Sequence, residues 1–398
     1  MSTTSTLSNS VRGRYVNEYI KGAMRRRVYD YFCYPISTDP EILQKQSSIT
    51  VPFISRMNPG TTAVSETVDV TPQTLTDATS SLSPTSRGEA IQDSEKLLLD
   101  AYTDYAARRY EIVGENMMES VEAVLIETAL AGSIVQRGAA RASLDAGTSS
   151  QYLTHAQLRE MEAKLLRMKT PMFEEGGAGT WAAACGPENV YDLETQEPIL
   201  SVAKYQNMTV ILGIDEVGVV GRFRIMNSPW TKIFGAAGAD NASAGATTLA
   251  SAATRLSKTI EVASASNLSA GSWLTIGTEE TASTFYPSNE RVQYVSESGT
   301  TITIVGSGDN GGLRYDHASG VAVRNADSVY PVLCGGPNSI AKAYASDLGN
   351  GEYGQVVGPN MQGLLDQFVS LGWKWYGGFA RISEGWLGRI EVTSAFDA

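Results

Sequence analysis

The sequence predicts an α+β protein that carries a small all-β domain as an insertion. Three observations point there. A β-rich stretch at 47–88 is followed by one long helical period at 89–132. The composition then shifts sharply to Ala, Ser, Thr and Gly over 235–328, and shifts back afterwards. Residues 329–398 return to a mixed pattern that ends in aromatic strands. At 398 residues the chain is long enough for two or three domains.

Residues 1–35 are locally basic. Arg12, Arg14, Lys21, Arg25, Arg26 and Arg27 face only Glu18 and Asp30, and Tyr15, Tyr19, Tyr29, Tyr31, Phe32 and Tyr34 are interleaved with them. The pattern suits a solvated helix, or an arm that docks on an acidic neighbour or on phosphate. Residues 47–88 read as extended. Ile49, Val51 and Phe53 alternate with smaller residues, and 62–70 continues the β-rich pattern. Asn58-Pro59-Gly60 is a turn signal, because Pro presets φ and Gly accepts positive φ. Few residues here are large and apolar. A hairpin of this kind cannot stabilise itself in water, so it needs another surface to lie on.

The period changes at 89–132. Leu98, Tyr102, Tyr105, Tyr110, Val113, Met117, Val121, Val124 and Thr128 recur mostly at three- and four-residue steps. This predicts one long amphipathic helix, bent near Gly114 and ending at Gly132. A second helix is expected from Thr154, with Gln157 completing a capping box, Leu158, Met161 and Leu165 as its stripe, and Pro171 as its stop. Residues 180–234 read as β and loop, with a β-rich run at 207–212 and a turn feeding a strand at 213–226.

Within 235–328, residues 236–246 read as a linker. Short strands are expected at 259–264, 273–276, 291–295 and 301–305, with Ser298-Gly299 turning the last two. Strands this close together predict a sandwich or a barrel. Beyond it, 337–348 reads as a helix opened by Pro337. Residues 355–357 read as a short strand, and alternation through Lys374 to Phe379 and Arg389 to Val392 predicts closing strands.

Composition excludes much chemistry. Lys and Arg total 31 against 43 Asp and Glu, a net charge of −12, which disfavours a general nucleic-acid binder. Two His and three Cys thin out metal and His-based catalysis. Cys33, Cys185 and Cys334 are odd in number and far apart, so a disulfide framework is not expected and a reducing compartment is. The start MSTTSTLSNS has no basic region before an apolar run, so no secretory leader is expected. The most apolar helical stretch, 121–135, carries Glu122 and Glu127, so no membrane span is expected.

Catalytic motifs fail on context. Gly306 to Gly311 and Gly349 to Gly354 match G-x-G-x-x-G, yet neither lies between a strand and a following helix, so both read as turns. Ser201–Lys204 and Ser339–Lys342 match S-x-x-K without companion motifs. His155 and His317 have no sequence partner for a triad or a metal cluster. Asp309, Asn310, Asp316 and His317 form a polar cluster, but a calcium loop wants tighter spacing and a terminal glutamate. No enzyme, cofactor or metal centre is therefore expected. What remains is an ordered set of parts that needs other subunits.

Four blocks sharpen this. They are EVGVVGRFRIMNS at 216–228, VLCGG at 332–336 with AKAY at 341–344, LLDQFVSLGWKWYGGF at 364–379 and RIEVT at 389–393. Their order resembles the major capsid protein of tailed bacteriophages, the Hong Kong 97-like fold, over nearly the whole chain except 235–328. The resemblance implies an N-terminal arm at 1–47 and an extended E-loop at 48–88. It implies a peripheral (P) domain at 89–190 with a spine helix at 89–132. Residues 191–234 and 329–398 would form the axial (A) domain with P-domain return strands, and 235–328 would leave it as the all-β insertion.

The resemblance also implies hexamers and pentamers of one chain, building an icosahedral shell around double-stranded DNA. Val51, Phe53, Ile54 and Arg56 of the E-loop would contact the neighbouring subunit, and Arg12, Arg14, Arg25, Arg26 and Arg27 would make the arm contacts. Expected partners are the portal, a separate scaffolding protein, a decoration protein on the insertion, and packaged DNA held by weak nonspecific contact. The implied location is the virion capsid, assembled in the host bacterial cytoplasm. No lysine lies between Lys45 and Lys96, so no E-loop isopeptide cross-link is expected. Encapsulin-like compartments share this fold, and a tail component or adhesin is the other reading left open.

Overall fold

The computed structural model describes residues 28–396 apart from 38–47, 55–56, 62, 64–65, 68–71, 101–104, 139–143, 145–147, 176–177, 196–215, 235–245, 267, 269, 278–287, 309, 325–327, 345–353 and 363–366. A 3-10 turn (Tyr29–Phe32) leads into β1 (Cys33–Ser37). Then come β2 (Ile49–Ile54), β3 (Asp77–Leu82), β4 (Thr85–Ser94), α1 (Glu95–Asp100) and α2 (Tyr105–Leu130). The next stretch holds β5 (Val135–Arg137), α3 (His155–Arg167), β6 (Phe173–Glu175), β7 (Ala178–Cys185), α4 (Pro187–Glu194), β8 (Glu216–Val220) and β9 (Phe223–Asn227). Six short strands follow: β10 (Ala246–Thr248), β11 (Thr259–Glu261), β12 (Trp273–Ile276), β13 (Glu290–Ser298), β14 (Thr301–Val305) and β15 (Ala322–Arg324). The chain closes with β16 (Tyr330–Gly335), β17 (Ile340–Tyr344), β18 (Gln355–Gln362), β19 (Phe368–Arg381) and β20 (Leu387–Val392). These elements fall into two compact units.

The first unit contains Tyr34–Met118 and Ile340–Ile382. Its five-stranded sheet runs β1-β17-β19-β18, with β4 along the other side of β19. The 14-residue β19 is the spine of this sheet. It pairs with β4 from Phe368 to Gly377, with β18 from Phe368 to Lys374 and with β17 from Gly377 to Arg381. Gly88 sits opposite Lys374, and a Cβ there would lie 2.5 Å from the Trp373 carbonyl oxygen. The start of α2 is pinned to this sheet. The buried Arg109 pairs with Asp93 at 3.0 Å, and the Trp373 indole N–H donates to Asn116 at 2.7 Å.

Two expectations change here. Residues 89–94, read as the start of the long helix, are the end of β4; helix begins at Glu95, and the long helix is Tyr105–Leu130. Ten residues of pairing with β19 override a weak local helical pattern. For the same reason 85–88 belong to this sheet rather than to the hairpin. Residues 337–348, read as a helix, contain β17 instead. Asn338 takes positive φ (58°) and turns the chain, and β17 then pairs with β19.

The second unit contains Ile20–Cys33, Glu119–Ser339 and Ser383–Ala398. Its seven-stranded sheet runs β5-β20-β16-β7-β9-β8, with β6 beside β7. β20 is parallel to β5 and β7 to β9. The capping box of α3 is formed, with Thr154 and Gln157 exchanging bonds, and Leu158, Met161 and Leu165 are all buried. They pack with Trp181, Phe223, Val332 and Ile390 of the sheet. Arg389 is buried in this core. It donates to the Leu130 carbonyl at the end of α2 and lies 2.8 Å from Glu391, which accepts from Arg137 at 2.5 Å. A cation at a helix C-terminus meets the free carbonyls there.

Within this unit, residues 246–324 form a second, six-stranded antiparallel sheet, β10-β15-β12-β13-β14-β11. Its two ends meet. Leu249 bridges Val262, Ala250 N–H donates to the Glu261 carbonyl, and Ala263 N–H donates to the Thr248 carbonyl. The sheet is therefore a closed barrel. Leu249, Ile260, Val262, Leu274, Ile276, Val292, Tyr294, Ile302, Ile304 and Val323 fill it. Ala246 pairs with Arg324, so both ends of the barrel leave from one place.

Candidate intersubunit hairpin

β2 and β3 form a separate two-stranded ladder, from Ile49 opposite Leu82 to Ile54 opposite Asp77. Its root is anchored. Ile49 and Leu82 are buried with Ala341 and Ala343, and Ile36, Ala380 and Ile382 pack around them. Ser80 Oγ donates to the Arg381 carbonyl at 2.8 Å.

Among the described residues the outer part has no such core. Residues 57–61 and 72–77 are exposed, and Met57 and Leu75 keep 62% and 55% of their surface. Asn58 and Gln73 face each other there. Asn58 N–H donates to Gln73 Oε1 at 2.8 Å, and Gln73 Nε2 donates to the Asn58 carbonyl at 3.1 Å. Of the sequence-predicted contact residues, Val51, Phe53 and Ile54 lie in β2, opposite Ser80, Ala78 and Asp77. Arg56 lies outside the described residues, as do Arg12, Arg14, Arg25, Arg26 and Arg27 of the arm.

Charges concentrate where the barrel meets the rest of the second unit. Glu119 of α2 accepts from Arg314 Nη2 at 2.6 Å and from the Tyr315 hydroxyl at 3.0 Å. Burial, then the Glu119 carboxylate, pushes the Tyr315 phenol well above its usual range. The Arg314 guanidinium lies 4.6 Å from the Trp230 ring centre. Glu290 accepts from Arg314 N–H at 2.9 Å and Tyr315 N–H at 3.2 Å, and lies 2.8 Å from His317 Nε2. On another side Arg291 lies over Trp273 at 4.7 Å and bonds the Tyr330 hydroxyl, while Trp273 meets Phe396 at 5.3 Å. Sequence reading missed these partners, because each pair joins residues far beyond the reach of a turn or a helical repeat.

Among the described residues the rejected motifs have structural jobs. Ser339 Oγ donates to the Gly336 carbonyl at 2.6 Å in a buried turn. In the first glycine motif Gly306 N–H donates to the Gly311 carbonyl, and Gly311 N–H to that of Gly308. Asn310 bonds Gly312 N–H and the Leu256 carbonyl, and Asp316 accepts from Arg255 N–H at 2.6 Å. Asp309, Ser201, Lys204, the 207–212 run, 236–245 of the expected linker and 349–353 of the second G-x-G-x-x-G match lie outside the described residues. The Cys185 thiol is pushed up to about 12 by burial and then by Glu188, and burial raises Cys334 as well. Both are poor nucleophiles. Among the described residues no cluster of His, Cys, Asp and Glu could hold a metal, and no helix is long and apolar enough to cross a membrane.

No family model and no curated protein matches the sequence. Solved structures do match. The capsid of Ralstonia phage GP4 superposes with a TM-score of 0.53 at 8% identity, covering 91% of this chain and 86% of that one. The capsid asymmetric unit of cyanophage Pam1 is 15% identical, covers 94% of this chain and 93% of that one, and has a TM-score of 0.48. The capsid of cyanophage P-SCSP1u is 11% identical, over 90% and 85%, with a TM-score of 0.49. The first likeness shows the fold: this chain is built as a phage capsid protein is built.

Proposed function

We propose that the chain is the major capsid protein of a tailed bacteriophage, a shell-forming protein with no catalytic role. The observation that carries this reading is the shared fold with the GP4 capsid over 91% of the chain. The hairpin supports it, since its root is held in a core while the apolar Met57 and Leu75 farther out are exposed. In this reading copies of the chain join as hexamers and pentamers of an icosahedral head. Each hairpin lies along the neighbouring subunit, where Val51, Phe53, Ile54 and Arg56 make contact. Apolar area buried there contributes about 25 cal/mol per Å², and contacts that are individually weak act together across the shell.

The net charge of −12 suits a wall that encloses double-stranded DNA without gripping it. The basic residues between 12 and 27 would contact scaffold, a neighbour or DNA locally. A portal, a separate scaffolding protein and a decoration protein on the barrel complete the expected partners, with assembly in the host cytoplasm. Electron microscopy of the purified protein tests the reading: closed shells are expected, and tubes or isolated subunits under all assembly conditions would refute it. Phe53→Asp is expected to abolish shells while leaving the melting temperature of the dissociated subunit unchanged.

A further inference from the structure

We infer that Gln73 is a positioning residue that holds the hairpin in its docking shape before another copy of the chain arrives. The inference rests on the shell reading above. Ile54 opposes Asp77 at the end of the ladder. Four residues farther out on each arm, Asn58 opposes Gln73, in the same register. Their two bonds, at 2.8 and 3.1 Å, are a donor and an acceptor exchanged between one backbone and one facing group. That is the pattern of a hydrogen-bonded pair in an antiparallel ladder. The Gln73 side-chain amide stands in for a backbone amide and adds a rung where β2 and β3 have already ended.

The rung matters because Asn58 and Gln73 stand among exposed residues, 57–61 and 72–77. Both residues are exposed, and Asn58 precedes Pro59-Gly60, which supplies no further backbone donor until Gly60. A segment without a core must otherwise lose its freedom at the moment of docking, and that loss subtracts from affinity. A net exposed hydrogen bond contributes about 0.5–1.5 kcal/mol, a roughly two- to twelvefold shift in an equilibrium. The effect is repeated at every copy in a shell. Asn58 takes part only through its backbone, so its side chain is not required.

The test uses the full chain as dissociated subunits. Amide hydrogen exchange of the 55–76 segment and the threshold concentration for shell assembly, read by light scattering, are compared for four proteins. In Gln73→Ala the Asn58 amide is expected to exchange several-fold faster and the threshold to rise several-fold, with the melting temperature unchanged. Asn58→Ala keeps both backbone groups and is expected to match wild type in both readings. Phe53→Asp, whose contact does not depend on the rung, is expected to block assembly with the exchange unaltered. If Gln73→Ala exchanges faster but assembles at the wild-type threshold while Phe53→Asp fails to assemble, the positioning role is wrong and the shell reading stands. If Asn58→Ala behaves like Gln73→Ala, the backbone rung is wrong. If Phe53→Asp also assembles normally, the hairpin contact itself falls, and the positioning role with it.

Discussion

The barrel at 246–324 and the hairpin of β2 and β3 are both built from short, Thr- and Ser-rich strands, yet they solve opposite problems. The barrel closes its sheet on itself, so among the described residues its two end strands pair with each other, and its inward residues make a core of their own. The hairpin has two strands, one core contact at its root and exposed residues beyond it. A two-stranded element in water is marginal at best. The difference teaches where each region gets its stability: the barrel from a core of its own, the hairpin, among the described residues, from its root alone and, in the proposed shell, from a neighbouring copy.

The largest test of that contrast is in the barrel core. Leu274 is fully buried, and Leu274→Ala is expected to cost about 2–5 kcal/mol in denaturant unfolding. Leu75→Ala in the hairpin, where more than half the side chain is exposed, is expected to change subunit unfolding by less than about 0.5 kcal/mol. Equal losses at the two sites would erase the comparison. Glu290→Ala comes next, because it strips a buried acceptor from two backbone N–H groups and from His317; a loss of about 3 kcal/mol is expected in the same assay.

The barrel's attachment is a smaller term. Phe234 bridges Val329 just outside it, so replacing 235–328 by a short flexible linker is expected to leave the rest of the chain folded by circular dichroism. In the full chain Glu119→Gln is expected to cost about 1 kcal/mol by weakening its pairing with Arg314. In the deleted chain the same change is expected to cost nothing, which a double-mutant cycle of melting data reads directly.

The smallest expected effect is alkaline. Cys185 ordinarily ionises near 9.0 and is held up to about 12 in the fold. Folding therefore favours its neutral form. That stability is complete below pH 9 and is lost as pH rises towards 12. Melting temperature is expected to fall across that window, and Cys185→Ala to flatten part of the slope. At neutral pH, Cys185 and Cys334 are expected to resist alkylation until the protein unfolds.

Much of the local structure was legible. Thr154 and Gln157 announced the start of α3, and the spacing of Leu158, Met161 and Leu165 gave its buried face. The composition shift and the Ser298-Gly299 turn marked the strands of the barrel. The failures share one cause. Residues 89–94 and 340–344 carry weak local patterns, and β19, hundreds of residues away from the first and tens from the second, turned both into strands. The rung between Asn58 and Gln73 was equally invisible, since neither residue type signals the other.

The sequence by itself determined what is periodic or local: caps, turns, apolar stripes, the acidic balance and the poverty of His and Cys. It also determined that the hairpin has too little apolar surface to stand alone. Only the tertiary structure decided that the strands at 246–324 close into a barrel, that Glu119 meets Arg314 and Tyr315, and that Arg389 reaches the end of α2. The physical reason is range. Helical period and turn chemistry act over a few residues. Strand pairing and buried charge pairs are set by whichever distant partner arrives, and that partner is chosen by the whole core.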